Sequence, residues 1–302
     1  MTTALVFAGQ GSQREGMALA WQDHPSFARW EEAGDLLGFD VQRLGTSATA
    51  EELREPAACQ VALFVHAVVL LEAWQAAGGT APTATAGHSL GEYDALVAAG
   101  ALDFASALAL VDVRARATEQ AAHAHPGGMV ACLGYDREVV EAACAETGAH
   151  VANDNAPGQV VCAGAPASLE ALRAALGRQE GRGKVVALEV GAAYHSPHMA
   201  PAVEELGPAL DATAFADTTT PVVANVDAVA HTAAGDWPSL LRRQVVSPVR
   251  WRETVGTLVA AGITDVVELG ASPVVTGLVK RTDRGLGRRA ITTPAELEEA
   301  LA

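Results

Sequence analysis

Residues 87 to 93 read Gly-His-Ser-Leu-Gly-Glu-Tyr, a Gly-X-Ser-X-Gly pattern that few folds can accommodate. A serine at the tip of a tight strand-to-helix turn needs neighbours without bulk, so that strand and helix can close on each other with the hydroxyl exposed. Gly87 and Gly91 supply that room, which predicts a strand end over Thr83 to Ala86, a helix over Leu90 to Ala99, and Ser89 presented between them. The first N–H groups of such a helix face whatever is joined to the serine. The pattern also arises by chance in glycine-rich chains, so the rest of the chain has to decide.

The chain has 302 residues, 50% of them hydrophobic, enough to bury a large core and to form one big domain with a smaller one. The longest apolar run, Val61 to Leu71, is too short to span a bilayer and is interrupted by His66. With no basic leader before the short apolar stretch at the N-terminus, the chain reads as cytoplasmic and without a membrane partner. Four scattered cysteines, Cys59, Cys132, Cys144 and Cys162, form no Cys-X-X-Cys pair and are expected to be buried reduced thiols rather than metal ligands. A net charge of -16 argues against nucleic acid as a partner. Residues 242 to 302 nevertheless hold nine basic groups against seven acidic ones, a local reversal suited to an acidic partner, although a solvated surface would also explain it.

Strand-like apolar runs alternate with helical periodicity, the signature of an α/β chain. Leu5 to Ala8 reads as a buried strand leading into Gly-Gln-Gly-Ser-Gln at 9 to 13, a loop that lacks the spacing of a phosphate cradle. Gln60 to Gln75 and Phe104 to Ala121 read as helices, and His-Pro-Gly-Gly at 125 to 128 as a boundary. From Met129 onward the order is strand, helix (Arg137 to Thr147), strand (Gln159 to Ala163), helix (Ser168 to Gly177), strand (Val185 to Val190). That is a ferredoxin-like unit with one strand hard to place. Strands at Pro221 to Asn225 and Asp265 to Leu269 return the chain to the first sheet. The expected organisation is thus a large α/β-hydrolase-like domain with a parallel sheet over 1–126 and 192–302, interrupted by a small ferredoxin-like α+β subdomain over 127–191.

A serine nucleophile needs a base. His88 adjoins Ser89, but consecutive residues at an elbow point apart. His195, in Ala-Ala-Tyr-His-Ser-Pro-His-Met where the chain re-enters the large domain, is the better candidate. His198 makes a pair with it in sequence, but no third ligand is evident and no metal is expected. His123 and His125 are read as exposed loop residues at the boundary.

These segments together resemble the malonyl-CoA:acyl carrier protein transacylases of fatty-acid and polyketide synthesis, over nearly the whole chain. Phe-Ala-Gly-Gln-Gly-Ser-Gln (7 to 13) is similar to the family's opening loop, with Ala8 where proline is usual. Gly-His-Ser-Leu-Gly-Glu-Tyr is its nucleophile motif, and Asn-Asp-Asn-Ala-Pro-Gly-Gln-Val-Val (153 to 161) resembles the signature of its small domain. Tyr-His-Ser-Pro-His-Met resembles the segment of its catalytic histidine, while Arg-Gln-Val-Val-Ser-Pro-Val-Arg-Trp (243 to 251) and Thr-Gly-Leu-Val-Lys-Arg (276 to 281) resemble its late motifs.

The resemblance implies a ping-pong transfer with Ser89 as nucleophile and His195 as general base, no permanently bound cofactor, an acyl-CoA donor and a carrier-protein acceptor. It further implies that Gln10 and Leu90 provide the oxyanion-hole N–H groups and that the Gln244 carbonyl orients the imidazole. Arg114 would clamp an acyl carboxylate, with Gln60, Thr118 and Tyr194 around the substrate. Arg242, Arg243, Lys280 and Arg281 become candidate docking residues for an acidic carrier. Where many malonyl-specific members read Arg-Gly-X-Leu-Met-Gln, this chain reads Arg114-Ala115-Arg116-Ala117-Thr118-Glu119, which would enlarge the pocket if Ala117 and Thr118 face the acyl group. The alternatives are a trans-acting polyketide acyltransferase for a substituted malonyl or larger group, an acyl hydrolase that clears carrier proteins, and a non-catalytic carrier-binding protein.

Overall fold

The computed structural model describes residues 2 to 179 and 183 to 302. Its strands in chain order are β1 (Thr3–Phe7), β2 (Ala84–Gly87), β3 (Gly128–Leu133), β4 (His150–Ala156), β5 (Gln159–Gly164), β6 (Lys184–Ala187), β7 (Val222–Val223), β8 (Ala230–His231), β9 (Asp265–Leu269) and β10 (Gly287–Ile291). They form a six-stranded sheet in the order β10-β9-β1-β2-β7-β8 and a four-stranded sheet in the order β4-β5-β3-β6. In the larger sheet every pair is parallel except β7 with β8. Helices cover both faces, so its central strands are covered on both sides, with every residue of β1 and β9 buried, Asp265 and Glu268 included.

The register places Phe7 beside both Gly87 and Leu269, so the chain leaves β1 and β2 at the same carboxyl edge. Crevices beyond that edge are where open α/β sheets bind ligands. The loop at 9–13 thereby meets the serine elbow, from which it is distant in sequence. The approach is close enough that a Cβ on Gly9 would lie 2.4 Å from the His88 carbonyl oxygen.

The small sheet is fully antiparallel, with helices Arg137–Thr147 and Pro166–Gly177 packed on it through Val130, Val140, Val160, Leu172 and Leu176. Its strand order is that of a ferredoxin-like unit. The strand that sequence periodicity leaves unplaced is β4, whose Asn-Asp-Asn centre is poor in strand-forming residues. Those side chains are nonetheless buried, because they join the two sheets. Asp154 accepts from Arg137 at 2.8 Å and from Arg252 at 2.9 Å, while its backbone N–H donates to the Val249 carbonyl at 2.9 Å. The reciprocal Val249 N–H donates to the Ala152 carbonyl at 2.9 Å.

Several boundaries differ from expectation. Strand β6 stops at Ala187 rather than Val190, because the Val190 N–H turns back to the Leu188 carbonyl. β7 holds only Val222 and Val223, since Asn225 leaves the sheet to bind the elbow. The helix capped by the Asp103 side chain runs from Phe104 to Ala124, so His123 lies in its last turn while remaining exposed. The four cysteines are free and buried, with the Cys144 and Cys162 sulfurs 3.5 Å apart and the Cys132 and Cys162 sulfurs 3.8 Å apart in the small core.

The apolar run at Val61 to Leu71 lies within a 21-residue helix, Pro56–Ala76, that by length and composition would cross a membrane. Its apolar window is 83% buried inside the protein, as expected for a core helix that is hydrophobic all round. His66 is carried into that core with both ring nitrogens unpartnered among the described residues, and burial lowers its pKa from 6.5 to about 3. A depressed folded value means that only the unfolded chain protonates His66 as pH falls from 6.5 toward 3, so stability is lost on the acid side. Replacing His66 with Leu should remove that loss. In urea unfolding, the variant's stability relative to wild type should rise by about 2 kcal/mol between pH 7.5 and pH 5.

Candidate active site

The elbow depends on two close approaches. A Cβ at Gly87 would lie 1.8 Å from the Gly91 carbonyl oxygen, and one at Gly91 would lie 2.4 Å from that of Phe7. Strand and helix can therefore touch only without side chains at these positions. Between them Ser89 sits at φ +54°, a left-handed conformation that is strained for a residue with a Cβ. Asn225 holds it there: its Oδ1 accepts the Ser89 N–H at 2.7 Å and its Nδ2 donates to the Gly87 carbonyl at 2.6 Å.

His195 enters from the loop after the small sheet, also at a positive φ of 55°. Its Nδ1 lies 2.9 Å from the Gln244 carbonyl oxygen, which only accepts, so the ring proton is on Nδ1 and Nε2 carries the lone pair. That nitrogen is 2.7 Å from Ser89 Oγ. Burial first, and Arg114 second, push the His195 pKa down to about 3, so the imidazole is neutral and able to accept a proton throughout the neutral range. His88 points elsewhere, its Nε2 bonding Asn155 Oδ1 at 2.7 Å and its ring lying against Trp251.

Arg114, from the middle of helix Phe104–Ala124, is 6% exposed and forms no ion pair among the described residues. Its Nη1 donates to Gln60 Oε1, and its Nη2 donates to Ser89 Oγ at 3.1 Å and to Gln244 Oε1 at 3.3 Å. Its Nε–H has no partner among the described residues. A buried guanidinium without a directly bonded counter-ion beside the Ser89 hydroxyl has the chemistry to take up an anion.

Ser89, Arg114, His195, Gln10 and Tyr194 line a cavity of about 420 Å³ whose far wall includes Met129, Asn153 and Gln159 of the small sheet. Gln60 and Thr118 lie outside its lining. The Thr118 hydroxyl receives the Gln60 Nε2–H at 3.1 Å and donates to the Arg114 carbonyl at 2.9 Å, so the two hold Arg114 from behind. Ala117 is buried in the main hydrophobic core. Neither Ala117 nor Thr118 therefore lines the cavity. Among the described residues the N–H groups of Gln10 and Leu90 find no acceptor, whereas that of Ser89 is taken by Asn225.

The candidate docking residues separate into two kinds. Arg243, Lys280 and Arg281 are exposed. Arg242 is tied down, donating to the Gly207 carbonyl at 2.8 Å and pairing with Asp211 at 2.5 Å. His198 is turned toward His150, away from the cavity. Among the described residues no group of three or more His, Cys, Asp or Glu is arranged to hold a metal ion. Sequence reasoning misses Asn225 and Glu92. Asn225 carries no motif of its own, and Glu92 is hidden inside the elbow motif as an ordinary first-turn acid.

An elbow serine, a histidine oriented by a main-chain carbonyl, and free N–H groups beside them define a serine acyl-transfer site on an α/β-hydrolase-like sheet. Comparison with known proteins narrows this class. The acyl transferase domain family matches residues 4–294, and the chain belongs to that family. It is 38% identical to the malonyl CoA-acyl carrier protein transacylase of Salmonella typhimurium, covering 99% of this chain and 98% of the relative. The corresponding Bacillus subtilis protein is also 38% identical, over 99% and 96%. Among solved structures, the acyl-carrier-protein S-malonyltransferase of Burkholderia pseudomallei superposes with a TM-score of 0.95 at 39% identity, covering 100% of this chain and 99% of that one. A malonyl-transacylase solved in complex with its type II polyketide acyl-carrier protein gives 0.96 at 36% identity, over 100% and 99%.

If the elbow requires bare glycines, Gly91→Ala should cost about 3 kcal/mol or more, because the Phe7 carbonyl belongs to the central strand and cannot yield. Thermal unfolding should then show a Tm lower by about 6–12 °C.

Proposed function

We propose that this protein transfers a malonyl group from CoA to the phosphopantetheine thiol of an acyl carrier protein through a Ser89 ester. The observation that carries the reading is Arg114, a buried cation without a directly bonded counter-ion among the described residues, 3.1 Å from the candidate nucleophile. A free acyl carboxylate completes that site, since the planar guanidinium can hold it in a fork while the thioester lies over Ser89.

Ser89 Oγ attacks the thioester carbonyl carbon and its proton passes to His195 Nε2, which the Gln244 carbonyl keeps in the correct tautomer. The oxyanion is received by the Gln10 and Leu90 N–H groups, each worth on the order of 3 kcal/mol in comparable acyl transfers. Collapse expels the CoA sulfur, which takes the proton from His195. The carrier's thiol then attacks the Ser89 ester by the same path reversed. Burial is the main influence that lowers the His195 pKa, and a carboxylate on Arg114 offsets the second, the Arg114 charge, so the base strengthens when its substrate is in place.

Malonyl is preferred over a larger extender because the relatives that this chain matches over nearly its whole length are malonyl CoA-acyl carrier protein transacylases. An intact Arg114 speaks against hydrolysis of uncarboxylated acyl groups, which would leave the guanidinium unused. The exposed Arg243, Lys280 and Arg281 belong to this reading as the contact for an acidic carrier, and a cytoplasmic location suits the same partners.

Intact-protein mass spectrometry after mixing with malonyl-CoA should show one malonyl adduct on wild type and none on Ser89→Ala. Arg114→Ala should lose at least about tenfold in loading rate, as expected when a buried charged hydrogen-bond partner is removed. A folded wild-type protein that forms no adduct would refute CoA-dependent loading. In a second experiment, charge reversal at Arg243, Lys280 and Arg281 together should slow transfer to the carrier protein several-fold while self-acylation stays near wild type, an effect that shrinks as salt is raised.

A further inference from the structure

Glu92 follows the elbow glycine in the first turn of helix Gly91–Ala99 and is 1% exposed. Its carboxylate has two hydrogen-bond donors: the Asn225 N–H reaches Oε1 at 2.8 Å, and the Gln244 side-chain amide reaches Oε2 at 2.6 Å. No Lys, Arg or His forms an ion pair with it among the described residues. The same Gln244 amide presents its oxygen to Arg114 Nη2 at 3.3 Å, so a single side chain separates this buried carboxylate from the buried guanidinium.

Among the described residues each of the two charges thus lacks a directly bonded counter-ion, and each is the other's nearest compensation through Gln244. We infer that Glu92 is the resident counter-charge of Arg114 and a specificity-determining residue: an acyl carboxylate takes over Arg114, and Glu92 then takes up a proton from solvent. This rests on the reading of Arg114 as the carboxylate clamp.

The physical reason is that two carboxylates around one buried guanidinium cannot both stay ionised without large cost. The substrate carboxylate is bonded to Arg114 directly, whereas Glu92 reaches it only through an amide, so Glu92 is the one that yields. The other charged groups about it are Arg114 from helix Phe104–Ala124 and Asp227 from the turn after β7, with the Tyr93 hydroxyl on its own helix. Asp227 is held by His231 and opposes ionisation of Glu92, as does burial, which is the largest influence and raises its pKa to about 7. The site therefore stands close to the point at which one proton enters or leaves near neutral pH. An acyl group without a carboxylate leaves Arg114 to Glu92 and moves no proton, so the discrimination between carboxylated and plain acyl groups is linked to proton uptake.

The test is isothermal titration calorimetry on Ser89→Ala, which binds without reacting, at pH 7.5 in buffers of different ionisation enthalpy. Malonyl-CoA is compared with CoA, whose phosphates are common to both and cancel. Malonyl-CoA should take up about half a proton or more beyond CoA. In Ser89→Ala/Glu92→Gln the excess should vanish, while malonyl-CoA still binds through Arg114. Equal proton counts for the two ligands in Ser89→Ala, or an excess that persists without Glu92, would overturn the inference. Should the double variant fail to fold, wild type decides alone: KM for malonyl-CoA should rise several-fold from pH 6.5 to pH 8.5 with kcat changing much less, and a flat KM refutes the proposal. Failure of wild type to form a malonyl adduct would instead strike the clamp reading itself, so the two failures are distinguishable.

Discussion

The contact on which the site depends is the one between Gly87 and the Gly91 carbonyl. It lets the helix begin within four residues of the strand's end and forces Ser89 into a left-handed conformation with its hydroxyl outward. Asn225 binds both the Ser89 N–H and the Gly87 carbonyl, so the strain is held by a buried side chain from a neighbouring strand's end. Because Ser89 gives up its own N–H to this bracing, the N–H groups beside it that find no acceptor among the described residues are those of Gln10 and Leu90, the pair proposed to receive an oxyanion. The loop after β1 is brought to the elbow by the register of a parallel sheet, and Gly9 lets the two come close.

Around the elbow, charge is distributed with few direct pairings. Arg114 and Glu92 are both buried, and Gln244 lies between them. Gln244 does three things at once: its main-chain carbonyl orients His195, its amide oxygen meets Arg114, and its amide hydrogens reach Glu92 and the Ser89 carbonyl. A carboxylate accepts only and a guanidinium donates only, so the direction of that amide is determined from both ends. On the proposed reading this network takes an anion on one side and a proton on the other. In the proposed reading, a buried arginine kept beside Ser89 builds charge selectivity into the site.

Much of this is legible in the linear order of residues. Periodicity finds the long helices, and it places helix Arg137–Thr147 and strand Asp265–Leu269 to the residue. Strand β4 escapes it because Asn153, Asp154 and Asn155 look like a turn, and they are strand-forming here only because Arg137 and Arg252 bond Asp154 Oδ2 and His88 bonds Asn155. Thr118 lies behind Arg114 rather than in the cavity lining, because sequence distance from Arg114 does not tell which face of a helix meets the cavity. His66 interrupts an apolar segment in the sequence, yet the helix carries it into the core uncharged.

By itself the sequence determined the elbow, since only glycines flanking a serine permit so tight a turn, and it determined the alternation of elements that makes an α/β sheet with a small antiparallel unit. Local sterics and hydrophobic period act over a few residues and can be read without a fold. The meeting of Ser89 with His195, Arg114 and Gln244 was decided by the tertiary structure alone, because these residues come from four separate segments whose approach depends on strand register and helix packing. The same holds for the ionisation of His195 and Glu92: their pKa values depend on burial and on neighbours distant in the chain, which no local pattern encodes.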